Sequence, residues 1–500
     1  MMILKTSRSN LSSNDQLSLD LPFAATKSLT ARVGPTPVFT RGSGATYIGS
    51  DGLIHGVDTS TTSNTIGTGS RTFTLAATAG QDQFWRVGDA VEASNGSNFM
   101  VGTVTSYDAA TQSLVCNMTS IGGSGTFTSW RIGYRAPRFD HTSDGVCRGL
   151  LIEESRTNIC LQSENFGTTW ANDTGLVAIS LDQTTSPSGA MNADKISENT
   201  TASNRRIAIQ GSSFVSGTTY TFSCFVKAAE RDFVQLRFGS ALGGQFQNFV
   251  IGGVNAGTIG SGSGATSSIQ AYPNGWYRCS ITAASAATGS STFTIGPQIS
   301  STALGWAPYV GTIGSGIFVW GAQVEAGSFA TSYIPTTTGS VVRSADVCSI
   351  TGGNFTGMWN QSEGTLLAQT QKTSTNSNAF IISASDNSLN NETDLRYNSV
   401  SQAAALINVS GASQVAGFQA SITSGSAVKQ SIAYKLNDCA YAVNGASPIS
   451  DTSALIPTVD RLTIGNVAVV GSIFYLNGTI ASIRYYKKRL PNAKLQALTA

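Results

Sequence analysis

The sequence predicts an all-β fold: tandem β-sandwiches, the first of jelly-roll type, with a small β-barrel module inserted near the N-terminus. Three observations carry this. The 500 residues include 53 glycines and only 12% charged residues, against usual shares of about 7% and about 25%. Such a composition suits many tight turns and a surface of Ser, Thr, Asn and Gly. Apolar and polar residues alternate at period two in run after run. In "TYTFSCFVKA" at 219–228, for example, Tyr220, Phe222, Cys224 and Val226 share one face. Clusters of Gly, Ser, Asn and Pro separate these runs. A chain of this length forms several domains with their own cores, and a hydrophobic content of 40% is too high for a disordered one.

Residues 1–35 have the weakest strand pattern, and only "LSLDLPF" at 17–23 is apolar enough to dock, so they read as an arm that orders against a partner. Residues 36–62 and 134–155 form a host region, with "FTRGSGATYIGSDGLI" and "PRFDHTSDGVCRGLLIEE" as short strands around Ser-Asp-Gly turns. Residues 63–133 are a self-contained set of strands, expected to be the inserted β module. Residues 156–345 hold the jelly roll, with further runs in "DFVQLRF", "GWYRCSITA", "STFTIGPQI" and "SGIFVWGAQVE". Residues 346–500 form a second antiparallel sandwich, in which Asn444-Gly445 is a hairpin turn. Pro491 then opens a short C-terminal helix with Leu495 and Leu498 on one face.

Charge narrows the partners. The net charge is +2, and the one basic cluster, Lys487-Lys488-Arg489, is too short to track a phosphate backbone, so nucleic acid is not expected. Met1–Leu4 is too short for a signal peptide or a membrane span, so a cytoplasmically made chain with no membrane insertion is expected. The seven cysteines, at 116, 147, 160, 224, 279, 348 and 439, never form a C-x-x-C pair and read as reduced, buried small hydrophobes. No cofactor or metal site is expected.

Five stretches, in order, carry a resemblance: "FTRGSGATYIGSDGLI", "PRFDHTSDGVCRGLLIEESRTN", "NGWYRCSIT", "SGIFVWGAQVEAGSFATSYIPTT" and "YLNGTIASIRYYKKRLPNAKLQALTA". Together they resemble virion structural proteins, fibres or spikes, of tailed bacteriophages and prophages. That resemblance implies a carbohydrate-binding-module-like jelly roll over 156–345 and a concanavalin or laminin-G-like sandwich over 346–500. It also implies a homotrimer, attachment to other virion proteins through the N-terminal segment, and contact with host cell-surface polysaccharide. Residues 63–133 resemble a small module recurrent in phage tail and fibre proteins. Location in a virion that leaves the cell by lysis would reconcile an outside role with the lack of an export signal.

Glu153 and Glu154 are adjacent on a strand and point to opposite faces, so they cannot flank one glycosidic bond; an ion pair with Arg148 or Arg156 is the expected role. His55 and His141 lack the nucleophile elbow that a Ser-His-Asp site would use. Asp386, Asn387, Asn390 and Asp394 could surround a calcium ion, but lack the order of a calcium loop and read as a solvated hairpin. Trp276, Tyr277, Phe318 and Trp320 lie in regular strands and read as core. Trp306 and Tyr309, in the Gly/Pro-rich "ALGWAPYVGTIGSG", are the sugar-contact candidates, because a ring there could stack on a pyranose. The expected function is non-enzymatic glycan adhesion by a virion fibre or spike. A ligand-free capsid cement protein and a polysaccharide-cleaving spike are the alternatives, although the short internal repeat of a β-helical depolymerase is missing.

Overall fold

The computed structural model describes residues 15–76, 85–96, 98–172, 177–198, 207–305, 307–372, 374, 376–415, 417–467 and 474–500. The chain is all-β and divides into two compact units. One comprises residues 1–40, 147–154 and 346–500, the other 41–146 and 155–345.

The first unit is a two-sheet sandwich. In one sheet the strands of this unit follow one another in the order Cys147–Ile152, Gly478–Tyr486, Glu363–Lys372, Ala427–Lys435, Cys439–Val443 and Ile449–Asp451. The other runs through Val38–Thr40, Val347–Thr351, Arg461–Ile464, Ala379–Ser385, Glu392–Ser399, Gln402–Val409 and Ala412–Ser413. Asn444-Gly445 makes a tight turn between the antiparallel strands Cys439–Val443 and Ile449–Asp451: both residues have positive φ, 45° and 73°, and the Ala446 amide donates to the Val443 carbonyl at 2.9 Å. The C-terminal helix, Asn492–Thr499, follows Pro491 and buries Leu495 beside Leu490, Ala433, Ala440, Ala442 and Tyr486.

The expected N-terminal arm is corrected here. Residues 1–14 lie outside the described residues, but Leu17–Leu21 is a strand of this sandwich, paired antiparallel with Gly478–Tyr486 (Leu19 with Tyr485, Leu21 with Ile483). Leu19, Leu21 and Phe23 are fully buried. Asp20 is buried as well, and is paired with Arg32 and Arg484. Five residues are a short signal in a Ser- and Asn-rich setting, and the edge they complete lies more than 450 positions away.

In the second unit, residues 57–134 form a six-stranded sheet in the order Val57–Ser60, Trp130–Tyr134, Ala90–Asn95, Asn98–Asp108, Ser113–Gly122 and Gly69–Thr74. A bridge between Ser60 and Leu75 joins the two edge strands, which closes a barrel around Phe73, Val91, Ala93, Met100, Leu114, Met118, Trp130 and Ile132. The module begins at Val57 rather than 63, because "VDTS" carries too little apolar character to announce a strand. Its ends meet, with Val57 and Gly133 as rung partners.

The jelly roll has two six-stranded sheets. Between them lie Phe222, Cys224, Val226, Leu236, Phe238, Phe249, Cys279, Ile281, Phe293, Ile295 and Val319. The sheet that contains Gly316–Ala326, Thr219–Ala228 and Trp276–Ala284 also buries its other face. There Phe225, Trp276 and Trp320 pack with Ala193, Tyr333 and Ile54. A bulge at Gly321, with φ +63°, shifts the alternation so that Trp320 points outward while Val319 and Ala322 point into the main core.

Leu21→Ala should therefore cost about 2–5 kcal/mol and Trp276→Ala about 3–5 kcal/mol, both read by urea denaturation. Unchanged unfolding of the Leu21 variant would restore a free N-terminal arm.

Candidate functional site

The alternation of the barrel strands decides what its outer surface carries. Trp130 and Ile132 point inward, so Arg131 and Gly133 point out; Val91 and Ala93 point inward, so Glu92 and Ser94 point out. Rung pairing sets these outward residues side by side: Arg131 lies opposite Thr59 and Ser94, Gly133 opposite Glu92, and Glu92 opposite Val101. This face forms one wall of a pocket of about 1300 Å³. The facing wall comes from jelly-roll segments around 162–165, 188–192 and 333–342, with Trp320 also lining it.

Close backbone approach holds the host loop against the barrel. A Cβ on Gly44 would fall 2.4 Å from the Gly133 Cα, so both positions need glycine. Nearby, the Arg41 guanidinium donates to the Tyr134 carbonyl at 2.6 Å, and Arg135 donates to the Arg41 carbonyl at 2.7 Å.

Glu164 stands at the centre of the jelly-roll wall. Its strand-to-loop segment is pinned by Asn158, whose Oδ1 accepts from the Cys160 and Val324 amides, and by Asp194, which accepts from the Phe166 amide at 2.8 Å. The Tyr333 hydroxyl donates to Glu164 Oε1 at 3.0 Å, and Asn192 Nδ2 donates to Oε2 at 3.2 Å. Behind Tyr333, Ser163 Oγ lies 2.6 Å from its hydroxyl and accepts from the Thr336 amide. Desolvation raises the Glu164 carboxyl to about 7, with Asp194 adding to the rise and Tyr333 and Arg131 opposing it. Burial also pushes the Tyr333 hydroxyl well above its ordinary range, so it keeps its proton. Three buried polar atoms on these walls have no hydrogen-bond partner: Trp320 Nε1, Arg131 Nε and Asn192 Oδ1.

The sequence candidates fall elsewhere. Trp306 lies outside the described residues. Tyr309 is buried, and its hydroxyl donates to Glu198 at 2.7 Å and contacts the Pro297 carbonyl at 2.9 Å. It therefore offers no exposed ring to a sugar, and the sugar-contact role expected for it is corrected to one in the fold. Trp276 and Trp320 are buried, as expected of core residues, though on the outer face of their sheet. The Glu153 amide donates to Asp346 Oδ2 and its carbonyl accepts from the Asp346 amide, while Glu154 Oε2 accepts from Asn477 Nδ2. Both glutamates thus clamp the sandwich where the chain leaves and re-enters it. His55 Nε2 lies 2.9 Å from each Asp51 oxygen, and His141 Nδ1 lies 3.0 Å from the Ile48 carbonyl.

In the 383–397 run, Asp386 accepts from Ser388 and Asn391 in its own turn. Asp394 is buried on the strand against Arg396, which also bonds Glu392 at 3.0 Å. Among the described residues no three His, Cys, Asp or Glu come together in a metal-holding group. No sequence motif links Glu164, Tyr333 and Arg131: they come from three segments and converge only in the folded chain.

No protein-family model and no curated protein matches the chain. Among solved structures, the CBM40 module of the Ruminococcus gnavus IT-sialidase, bound to α2,3-sialyllactose, aligns at 13% identity and TM-score 0.25, over 28% of this chain and 84% of that one. Mouse laminin α1 domains LG4-5 align at 10% identity and TM-score 0.20, over 59% of this chain and 90% of that one. Trypanosoma rangeli sialidase in complex with 2,3-difluoro-KDN aligns at 13% identity and TM-score 0.26, over 97% of this chain and 96% of that one. The first two are β-sandwich domains. Because the nearly full-length alignments are to enzymes, the expectation of a non-enzymatic chain is corrected and withdrawn.

The Glu164 carboxyl has a consequence for stability. Its folded value, about 7, lies above the ordinary 4.5 of an unfolded chain, so the folded state holds a proton that the unfolded state has released. That contribution is fully present below about pH 4.5 and is lost as pH rises through about 7. Glu164→Gln should therefore melt higher than wild type at pH 8, with the gain shrinking by pH 5. A gain of equal size at both pH values would remove the assignment.

Proposed function

We propose that this chain is a glycan-binding subunit of a bacteriophage fibre or spike, and that its sugar site is the pocket between the barrel face and the 162–165, 188–192 and 333–342 segments. The observation that carries the sugar site is the set of unpaired buried polar atoms, Trp320 Nε1, Arg131 Nε and Asn192 Oδ1, on the walls of one large pocket beside Tyr333 and Glu164. Buried donors and acceptors without partners are costly, and a polyhydroxylated ligand supplies partners for both kinds at once. The ordered series of five phage-like motifs supports the virion setting, where host polysaccharide is the ligand and the assembly is a homotrimer.

One observation favours a second reading, in which the pocket also turns its ligand over. A carboxyl titrating near 7 beside a protonated tyrosine hydroxyl can give and take a proton at neutral pH.

Purified full-length protein incubated with capsular polysaccharide of candidate hosts tests both. Retention of the polysaccharide is expected, weakened in Tyr333→Phe by about 1–3 kcal/mol. Shortened products that vanish in Glu164→Gln would establish the second reading. Retention unaffected by either substitution would move the sugar site away from this pocket.

A further inference from the structure

Reading the pocket as a sugar site uses the unpaired Arg131 Nε but leaves the charge of that guanidinium unexplained. Arg131 sits on the barrel's outward face, in the pocket wall, and its side chain makes no hydrogen bond or ion pair with any described residue. Other arginines of the same unit are tied into the fold. Arg41 donates to the Tyr134 carbonyl, Arg138 to the Thr46 carbonyl, Arg278 to the Thr331 carbonyl, and Arg231 grips both oxygens of Glu198. Burial also holds the Arg131 guanidinium below its ordinary range, with Glu92, Tyr333 and Glu164 opposing that shift. An unpaired, desolvated guanidinium in a wall that also bears hydroxyl and amide groups is set up for an anion carried by a larger polar ligand.

The surroundings choose the anion. Glu92 is a near neighbour of Arg131 on the same barrel face, and Glu164 is close enough to interact with it electrostatically. A dianionic phosphate or sulfate-rich ligand would meet Glu92 and Glu164 with Arg131 as the guanidinium not engaged by the fold, since Arg135 in the same wall is committed to the Arg41 carbonyl. A carboxylate carries one charge and matches the planar fork with two parallel hydrogen bonds. Glu164, Asn192 and the Trp320 indole then remain for the hydroxyls of the same ring. We infer that the pocket takes an acidic sugar, a uronic or nonulosonic acid, with its carboxylate held by Arg131. This rests on the sugar-site reading and sharpens it.

The test is calorimetric titration of the full chain with acidic and neutral oligosaccharides in pairs: sialyllactose with lactose, trigalacturonate with galactotriose, and a hyaluronan tetrasaccharide with chitotetraose. At least one acidic member should bind about tenfold or more tighter than its neutral counterpart, as a charge-assisted pair would give. Arg131→Gln should erase that preference, bringing the acid down to the affinity of its neutral counterpart, and Arg131→Lys should restore part of it. A methyl ester of the binding acid, tested on wild-type protein, should lose the same factor, which keeps the test independent of whether the variants fold. Equal binding of acid, ester and neutral sugar, still sensitive to Tyr333→Phe, would overturn the acidic preference and leave the sugar site standing. Absence of binding across the whole panel would remove both.

Discussion

The guanidinium of Arg138, fully buried, donates to the Thr46 carbonyl at 2.8 Å and to the Ser332 hydroxyl at 2.9 Å. Three distant segments meet at that one side chain, and the geometry of the pocket depends on it. Thr46 in turn donates to the Tyr333 carbonyl, and Arg343 donates to the same Ser332 hydroxyl. The host loop that carries the barrel and the strap that carries Tyr333 are therefore tied by one set of hydrogen bonds. A buried arginine keeps its charge in the protein interior, so its donors must find acceptors, and this need makes the tie directional in a way that apolar packing is not.

A second constraint comes from the jelly-roll sheet that is buried on both faces. One face fills the main core with Phe222, Cys279 and Val319; the other is covered around Phe225, Trp276, Trp320 and Tyr333. Polar residues on that covered face need partners and mostly have them. Glu325 accepts from the Thr331 amide and hydroxyl and from Gln323, and Arg278 donates to Ser223 and the Thr331 carbonyl. Against that background the buried Trp320 Nε1, without a hydrogen-bond partner, stands out on the pocket wall.

The buried carboxyl groups sort themselves by the same accounting of partners. Burial acts to raise Glu198, but the Arg231 fork, the Tyr309 hydroxyl and the Thr312 amide outweigh it and hold the carboxyl below its usual range. Burial and the neighbouring Asp394 raise Glu392, although both groups share Arg396, which also lies over the Phe380 ring at 4.2 Å. Glu164 differs from both. It is raised, it has no ion-pair partner within reach of its oxygens among the described residues, and it borders open volume. A carboxyl held by a full shell of donors supports the fold, while one held by a tyrosine and an amide beside a cavity remains available to a ligand.

The sequence by itself determined the class of the fold. Period-two alternation in runs such as 219–228 and 276–284, with Gly-rich turns between them, leaves few alternatives to sandwiched antiparallel strands, because a one-residue slip would turn each apolar face to water. It also determined the hairpin at Asn444-Gly445 and the helix after Pro491, each of which depends on neighbours close along the chain, whereas the partners of Glu153 and Glu154, Asp346 and Asn477, lie far away in sequence. Tertiary structure alone decided that Leu17–Leu21 completes a sheet edge formed by residues 478–486, since strand pairing over such a separation leaves no local mark. It alone decided that Tyr309 points inward, because the acceptors that draw it there, Glu198 and Pro297, belong to other strands. The candidate site lay beyond the sequence for the same reason. Arg131, Glu164 and Tyr333 acquire a joint chemistry only when barrel closure, strand parity and the Arg138 tie bring three separate segments to one cavity.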